Sequence, residues 1–215
     1  MGSIIRTAAN NVGASGVFSS SAFNNASLNS VTSLPTAVDG KMKLISSQTA
    51  SSDASLSFTS GIDSTYKTYC FKFVNIHPST QSNIQFNGST DGGSTYSVTK
   101  TTTFFQTRHD EDGTDAQLSY ETGKDIAQGT GYQQINVLVG TGNDENTSGE
   151  LWLFNPSSTT YVKHFLGRSN SYVAAGSYGG HYAGYFNTTS AINAINFQMS
   201  SGNIDAGTIA LYGIA

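Results

Sequence analysis

Four carboxylates fall within six residues at Asp110-Glu111-Asp112-Gly113-Thr114-Asp115, and hard cations bind where several oxygens stand close together. Asp110, Asp112 and Asp115 are therefore candidate calcium ligands. The glycine stands fourth in this loop rather than sixth, so the loop is not an EF-hand, and a solvated loop tip accounts for the same residues. Asn143-Asp144-Glu145-Asn146 is a second oxygen-rich stretch. His77, His109, His164 and His181 keep no zinc-binding spacing, and each falls in or beside an expected strand, where a hydrogen-bonded structural histidine is the simpler reading. Cys70 is the only cysteine, so no intrachain disulfide can form. It sits in the apolar run Tyr69-Cys70-Phe71-Lys72-Phe73-Val74, which predicts a buried, inert thiol.

Hydrolysis of a sugar polymer would need two acids flanking a cleft. Here the acids fall mainly in loops, with Glu150 alone entering a strand, and no pair stands out. No G-x-S-x-G elbow and no phosphate-cradling loop occurs. The expectation is a chain that is not an enzyme and carries no resident cofactor. Ser89-Thr90-Asp91-Gly92-Gly93-Ser94-Thr95-Tyr96 resembles an Asp-box, S-x-D-x-G-x-T-W, with Tyr96 in place of tryptophan. In proteins that carry it the box is a folded hairpin and not an active site. Asp91 is expected to bond backbone amides across the turn, with Tyr96 packed beneath.

Tyrosines gather late in the chain. In Ser177–Tyr185 they alternate with glycine and alanine, as in adaptable recognition loops. Tyr178, His181, Tyr182 and Tyr185 form the candidate recognition surface. They would serve either packing between subunits or contact with glycans.

The elements that must position these residues read as strands. Short apolar runs separated by turn residues appear at Met42–Thr49, Ser55–Thr59, Tyr66–His77, Asn83–Phe86, Thr103–His109, Gln133–Val139, Gly149–Phe154, Tyr161–Leu166, His181–Phe186, Ala194–Met199 and Gly207–Tyr212. Period-two alternation marks Leu56/Phe58, Tyr69/Phe71/Phe73, Ile195/Phe197/Met199 and Ile209/Leu211. Glu121–Gln128 is the best helical window, weakened by Gly123. The expected fold is all-β: a jelly-roll-like antiparallel β-sandwich over 41–215 with an extended N-terminal arm over 1–40. The arm is rich in Ala, Ser, Asn and Gly, with apolar residues spaced singly at Val17, Phe23, Leu28, Val31 and Leu34. A solvated tail has no use for these side chains, so the arm is read as a strap that docks onto a neighbouring protein.

Of the 215 residues, 11% are charged, against about 25% in an average protein. The net charge is -4 and the ten basic residues are scattered, which argues against nucleic acid as a partner. No apolar stretch reaches membrane-spanning length and none resembles a signal peptide, so synthesis in a cytoplasm without membrane insertion is expected.

Four stretches carry a family resemblance: Met42–Ala50, Phe58–Tyr66, Phe154–Phe165 and Gly202–Gly213. With these, residues 41–215 look like a family of virion structural proteins of marine tailed bacteriophages, including cyanophages. The resemblance implies a particle component made in a bacterial host cytoplasm and transfers no catalytic residue. The expected placement is an accessory protein on the virion surface, such as a capsid decoration, knob or short appendage, held through the arm. The other placement is a tail fibre or receptor-binding module that reads host-surface glycans. Expected partners are other virion proteins and copies of the chain itself, with a homotrimer as the first guess by analogy with other jelly rolls.

Overall fold

A computed structural model describes residues 41–215, which form one compact unit. The expected docking residues Val17, Phe23, Leu28, Val31 and Leu34 lie outside the described residues. Twelve strands follow in chain order: β1 (Met42–Thr49), β2 (Ser55–Phe58), β3 (Thr68–Pro78), β4 (Ile84–Ser89), β5 (Lys100–Asp110), β6 (Ala116–Tyr120), β7 (Gln133–Gln134), β8 (Thr147–Phe154), β9 (Lys163–Val173), β10 (Gly176–Phe186), β11 (Ala194–Met199) and β12 (Ile204–Ile214). Every pairing among them is antiparallel.

The strands form two sheets, ordered β1-β12-β3-β8-β9-β10-β5-β6 and β2-β11-β4-β7. The first four strands of the large sheet and all four of the small one make a jelly roll. Along this eight-strand core each successive strand crosses to the opposite sheet, except that β4 and β7 are neighbours within the small sheet. Two hairpins interrupt that path. β5–β6 is inserted between β4 and β7, and β9–β10 between β8 and β11. Both join the same edge of the same sheet, which doubles its width.

The alternation read from sequence decides which side chains meet between the sheets. Leu56, Phe58, Tyr69, Phe71, Phe73, Ile195, Phe197, Met199, Ile209 and Leu211 are all buried there. Phe86 on β4 is the hub. Its ring centroid lies 5.1 Å from Phe165 on β9, 6.2 Å from Phe186 on β10 and 6.3 Å from Phe197 on β11. These edge and tilted contacts tie the inserted hairpin β9–β10 to the jelly roll, beyond what area burial alone supplies. Tyr182 joins them and passes through the space that a side chain on Gly167 would fill. A Cβ there would collide with the Tyr182 ring at Cζ. Tyr182 also donates from its hydroxyl to the Glu150 carbonyl at 2.8 Å.

Several elements differ from expectation. Glu121–Gln128 contains only a single 3-10 turn, Thr122–Lys124. Gln133–Val139 keeps two strand residues, and Ile135 and Val139 are buried as parts of irregular chain. β6 is a strand that the pattern does not announce, since Ala116–Tyr120 carries no buried side chain. β9 runs on to Val173 and β10 begins at Gly176, because Gly167–Ser171 and Ser177–Gly180 have no apolar alternation to betray them.

The turn joining β9 and β10 is equally silent in the sequence. Val173 pairs with Gly176, leaving the two-residue loop Ala174-Ala175, with φ of 49° and 57°. Such a loop normally announces itself through Asn-Gly, because a Cβ in the left-handed region is strained. Backbone bonds brace it instead. Glu145 Oε1 accepts from the Ala174 amide at 2.9 Å, and the Glu111 amide donates to the Ala175 carbonyl at 2.9 Å. Ala175→Gly is expected to stabilise the protein by about 1 kcal/mol in urea unfolding, the cost of left-handed backbone at a residue with a Cβ. An unchanged or lower midpoint would show that the strain is not there.

Candidate functional site

The acidic loop closes the β5–β6 hairpin around a residue that the sequence reading passed over. Arg108 donates from Nε to Asp110 Oδ1 at 3.0 Å and from Nη2 to Asp110 Oδ2 at 2.9 Å. Its Nη1 lies 3.1 Å from Asp115 Oδ2. The Tyr178 ring covers the guanidinium at 5.2 Å. Asp112 turns away and accepts from the amide and hydroxyl of Thr114. The three candidate calcium ligands are thus not brought together. Two of them neutralise Arg108 and the third folds its own turn. Among the described residues no group of three or more His, Cys, Asp or Glu side chains is placed to hold a metal ion. In the second oxygen-rich loop Glu145 accepts from the amides of Ala174 and Gly142, which lowers its pKa.

The Asp-box-like segment is a turn rather than a hairpin, because the chain leaving it over 95–99 is irregular and forms no return strand. The staple itself is present. Ser89 Oγ donates to Asp91 Oδ1 at 2.5 Å, and Thr95 donates to Asp91 from its amide at 3.0 Å and its hydroxyl at 2.7 Å. The Ser89 and then the Thr95 hydrogen bonds hold the Asp91 pKa far below the carboxylate range. Gly93, at φ +91°, leaves room for the Tyr96 hydroxyl, 2.6 Å from where a Cβ would stand.

The four residues of the candidate recognition surface are divided between environments. Tyr182 is in the core, 3% exposed. Tyr178 shares that inward parity but lies at the far end of β10 against Arg108. Only His181 and Tyr185 point to the outer face of the large sheet. There His181 stacks on Phe105 with centroids 4.8 Å apart and planes 7° from parallel, and Tyr185 lies 6.0 Å from His164. A strand's alternation separates what a tyrosine count placed together.

That outer face is the most distinctive surface among the described residues. Seven of the eight large apolar side chains left exposed lie on it: Met42, Leu44, Val74, Phe105, Leu118, Tyr120 and Leu166. The strand registers set them in rows. One row crosses seven strands as Leu44, Tyr212, Cys70, Trp152, Leu166, Ala183 and Thr103. The row beside it reads Ser47, Ala210, Lys72, Glu150, Arg168, His181, Phe105 and Tyr120. Arg168 Nε donates to Glu150 Oε1 at 3.1 Å. Cys70 is fully buried between Tyr212 and Trp152, and burial pushes its thiol up to about 11, so it is the inert thiol expected. Two shallow grooves mark the face. One of about 390 Å³ is bounded by Phe154, Leu166, Ala183 and Tyr185, and one of about 540 Å³ by Lys72, Val74, Glu150, Arg168 and His181. The outer face of the small sheet differs. Its Asn87 donates to the Tyr96 and Thr130 carbonyls, and its Asn196 bonds Ser57 and Tyr132.

No protein-family model, curated protein or solved structure matches this chain.

Buried Lys100 and Lys163 and half-buried Lys124 end on uncharged oxygens instead of carboxylates. Lys100 Nζ donates to the Gly131 carbonyl at 2.6 Å, Lys163 Nζ to the Thr188 carbonyl at 3.1 Å, and Lys124 Nζ to the Gln134 side chain at 2.6 Å and the Val137 carbonyl at 3.0 Å. Burial pushes the Lys100 amine down to about 8. Between pH 8 and its ordinary value of 10.5 the unfolded chain therefore holds a proton that the folded chain has released, and stability rises with pH. From pH 7 to 9 this contribution is about 1 kcal/mol, at 1.36 kcal/mol per pKa unit. Lys100→Met is expected to lose that slope in urea titrations at each pH, whatever its absolute stability. An equal slope in both proteins would place the titration elsewhere.

Proposed function

We propose that the chain is a non-enzymatic structural component of a bacteriophage particle. In this reading it is an accessory protein on the virion surface that decorates the capsid or forms a knob or short appendage, held through residues 1–40. The observation that carries the reading is the outer face of the eight-stranded sheet. It is wide and shallow, with exposed Leu44, Val74, Phe105, Leu118 and Leu166 around a central charged pair. Large exposed apolar patches of this kind mark protein–protein surfaces. The four stretches that resemble marine phage virion proteins support the same assignment, as does the low charge, which lets many copies crowd together with little repulsion. Partners in this reading are other virion proteins and copies of the chain.

A tail fibre module reading host-surface glycans is the second reading, and His181, Tyr185 and Phe105 on the outer face favour it. It is weakened by Tyr182, whose hydroxyl is committed to the Glu150 carbonyl.

Gold-labelled antibody against the chain, applied to intact particles from producing cells, is expected to decorate heads or short appendages in many copies. Label confined to tail tips would favour the glycan reading, and unlabelled particles would end both. Because residues 41–215 form a compact unit, deletion of residues 1–38 is expected to leave a folded β protein with native circular dichroism that no longer joins the particle. Normal incorporation of the truncated chain would remove the docking role of 1–40.

A further inference from the structure

We infer that the outer face of the eight-stranded sheet pairs with the same face of a second copy, about a two-fold axis that runs along the strands between β8 and β9. This deepens the assembly reading above, yet it stands on the surface alone and holds whether or not the chain belongs to a particle.

Strand order sets the place of the axis. In β1-β12-β3-β8-β9-β10-β5-β6 the line between β8 and β9 is the midline, with four strands on either side. A two-fold axis along that line lays β8 over β9 of the second copy, β3 over β10, β12 over β5 and β1 over β6. Position along the strands is kept. Residues already paired across β8 and β9 then meet each other's counterparts. Glu150 and Arg168 are register partners, so each Glu150 faces Arg168 of the second copy. Two in-chain ion pairs become a closed ring of four alternating charges. Trp152 and Leu166 are register partners in the next row, so each Trp152 lands on Leu166 of the other copy, beside the groove bounded by Ala183 and Tyr185. Farther out, Ala210 meets Phe105, and Ser47 meets Tyr120, so the exposed rings at one edge find small residues at the other.

The twist of each sheet carries distant residues out of register but leaves those beside the axis opposed. The two decisive contacts are the ones beside the axis. Apolar packing flanks a charge pair that is satisfied within each copy before association and gains a partner on association.

Size agrees. Eight strands spaced about 4.8 Å apart span about 34 Å, and about six residues of outward-facing strand span about 20 Å, so each copy would cover about 700 Å². That is close to the roughly 800 Å² per partner of a standard stable interface. The geometry also favours two copies over the three expected by analogy. A cyclic trimer needs two different complementary patches on each subunit, whereas a patch that is complementary to itself needs only one.

Charge reversal supplies a test that no fold defect can imitate. In Glu150→Arg, two arginines oppose each other across the axis. In Arg168→Glu, two glutamates do. Mixing the two variants sets the introduced arginine against the introduced glutamate, and the native Arg168 of one copy against the native Glu150 of the other, so only the mixed pair is complementary. By sedimentation equilibrium the full-length chain is expected to be a dimer, and each variant alone is expected to dissociate at least about 30-fold more readily, the loss typical of a central interface residue. The equimolar mixture is expected to recover the dimer. Leu166→Lys, a change at an exposed site, is expected to give a folded monomer. Any one of three results overturns the inference: a monomeric wild type at tens of micromolar, an odd-numbered oligomer, or a mixture no better associated than its components. The antibody experiment on particles is unaffected by each of these outcomes, so the two proposals fail separately.

Discussion

A sheet eight strands wide lies against a sheet only four strands wide, and that mismatch is the constraint on which the rest of the molecule depends. Apolar residues on a strand must be covered on their buried side, and the small sheet can cover half of the large one. Under the other half the covering chain is largely irregular, from residue 121 to 146. Ile135 and Val139 are buried there in place of strand residues.

Irregular chain in the interior brings backbone carbonyls that have no ladder to join, and each must find a donor. This explains why the interior is polar in such particular places. Lys124 reaches the Val137 carbonyl and Lys100 the Gly131 carbonyl, while Ser169 donates to the Ile135 carbonyl and Asn83 to Asn136. A lysine suits this work because its amine can donate to a carbonyl while standing over an aromatic ring, as Lys100 Nζ does over Phe186 and Lys124 Nζ over Phe104, each 5.8 Å from the ring centroid. The cost is a desolvated charge, visible in the lowered pKa values of Lys100, Lys124 and Lys163. The aromatic cluster around Phe86 offsets part of that cost by joining the inserted hairpin to the jelly roll in one continuous core.

The same mismatch leaves the far side of the large sheet with no layer over it among the described residues. The chain's distinctive surface is therefore a consequence of its topology. Inserting two hairpins at one edge widened the inner face that must be covered and the outer face that is left open, and it set Glu150, Trp152, Leu166 and Arg168 at the centre of that open face.

Alternation in Tyr69/Phe71/Phe73 and Ile195/Phe197/Met199 was legible in the sequence because burial on one face of a strand imposes a period of two, whatever the strand's neighbours. The all-β class, most strand positions, the sandwich and the inert Cys70 followed from that local rule. Arg108 at the centre of its acidic loop, Tyr182 in the core and the Ala174-Ala175 turn did not, because each depends on a partner or brace outside its own segment. The rows across the outer face depend on the same kind of information. Which residues stand side by side is fixed by strand order and register, and these pair segments distant along the chain, such as Leu44 with Tyr212 and Cys70 with Trp152. What each strand buries is written in its own residues, whereas which exposed residues share a surface is set by the pairing of strands, because adjacency between strands belongs to no one strand.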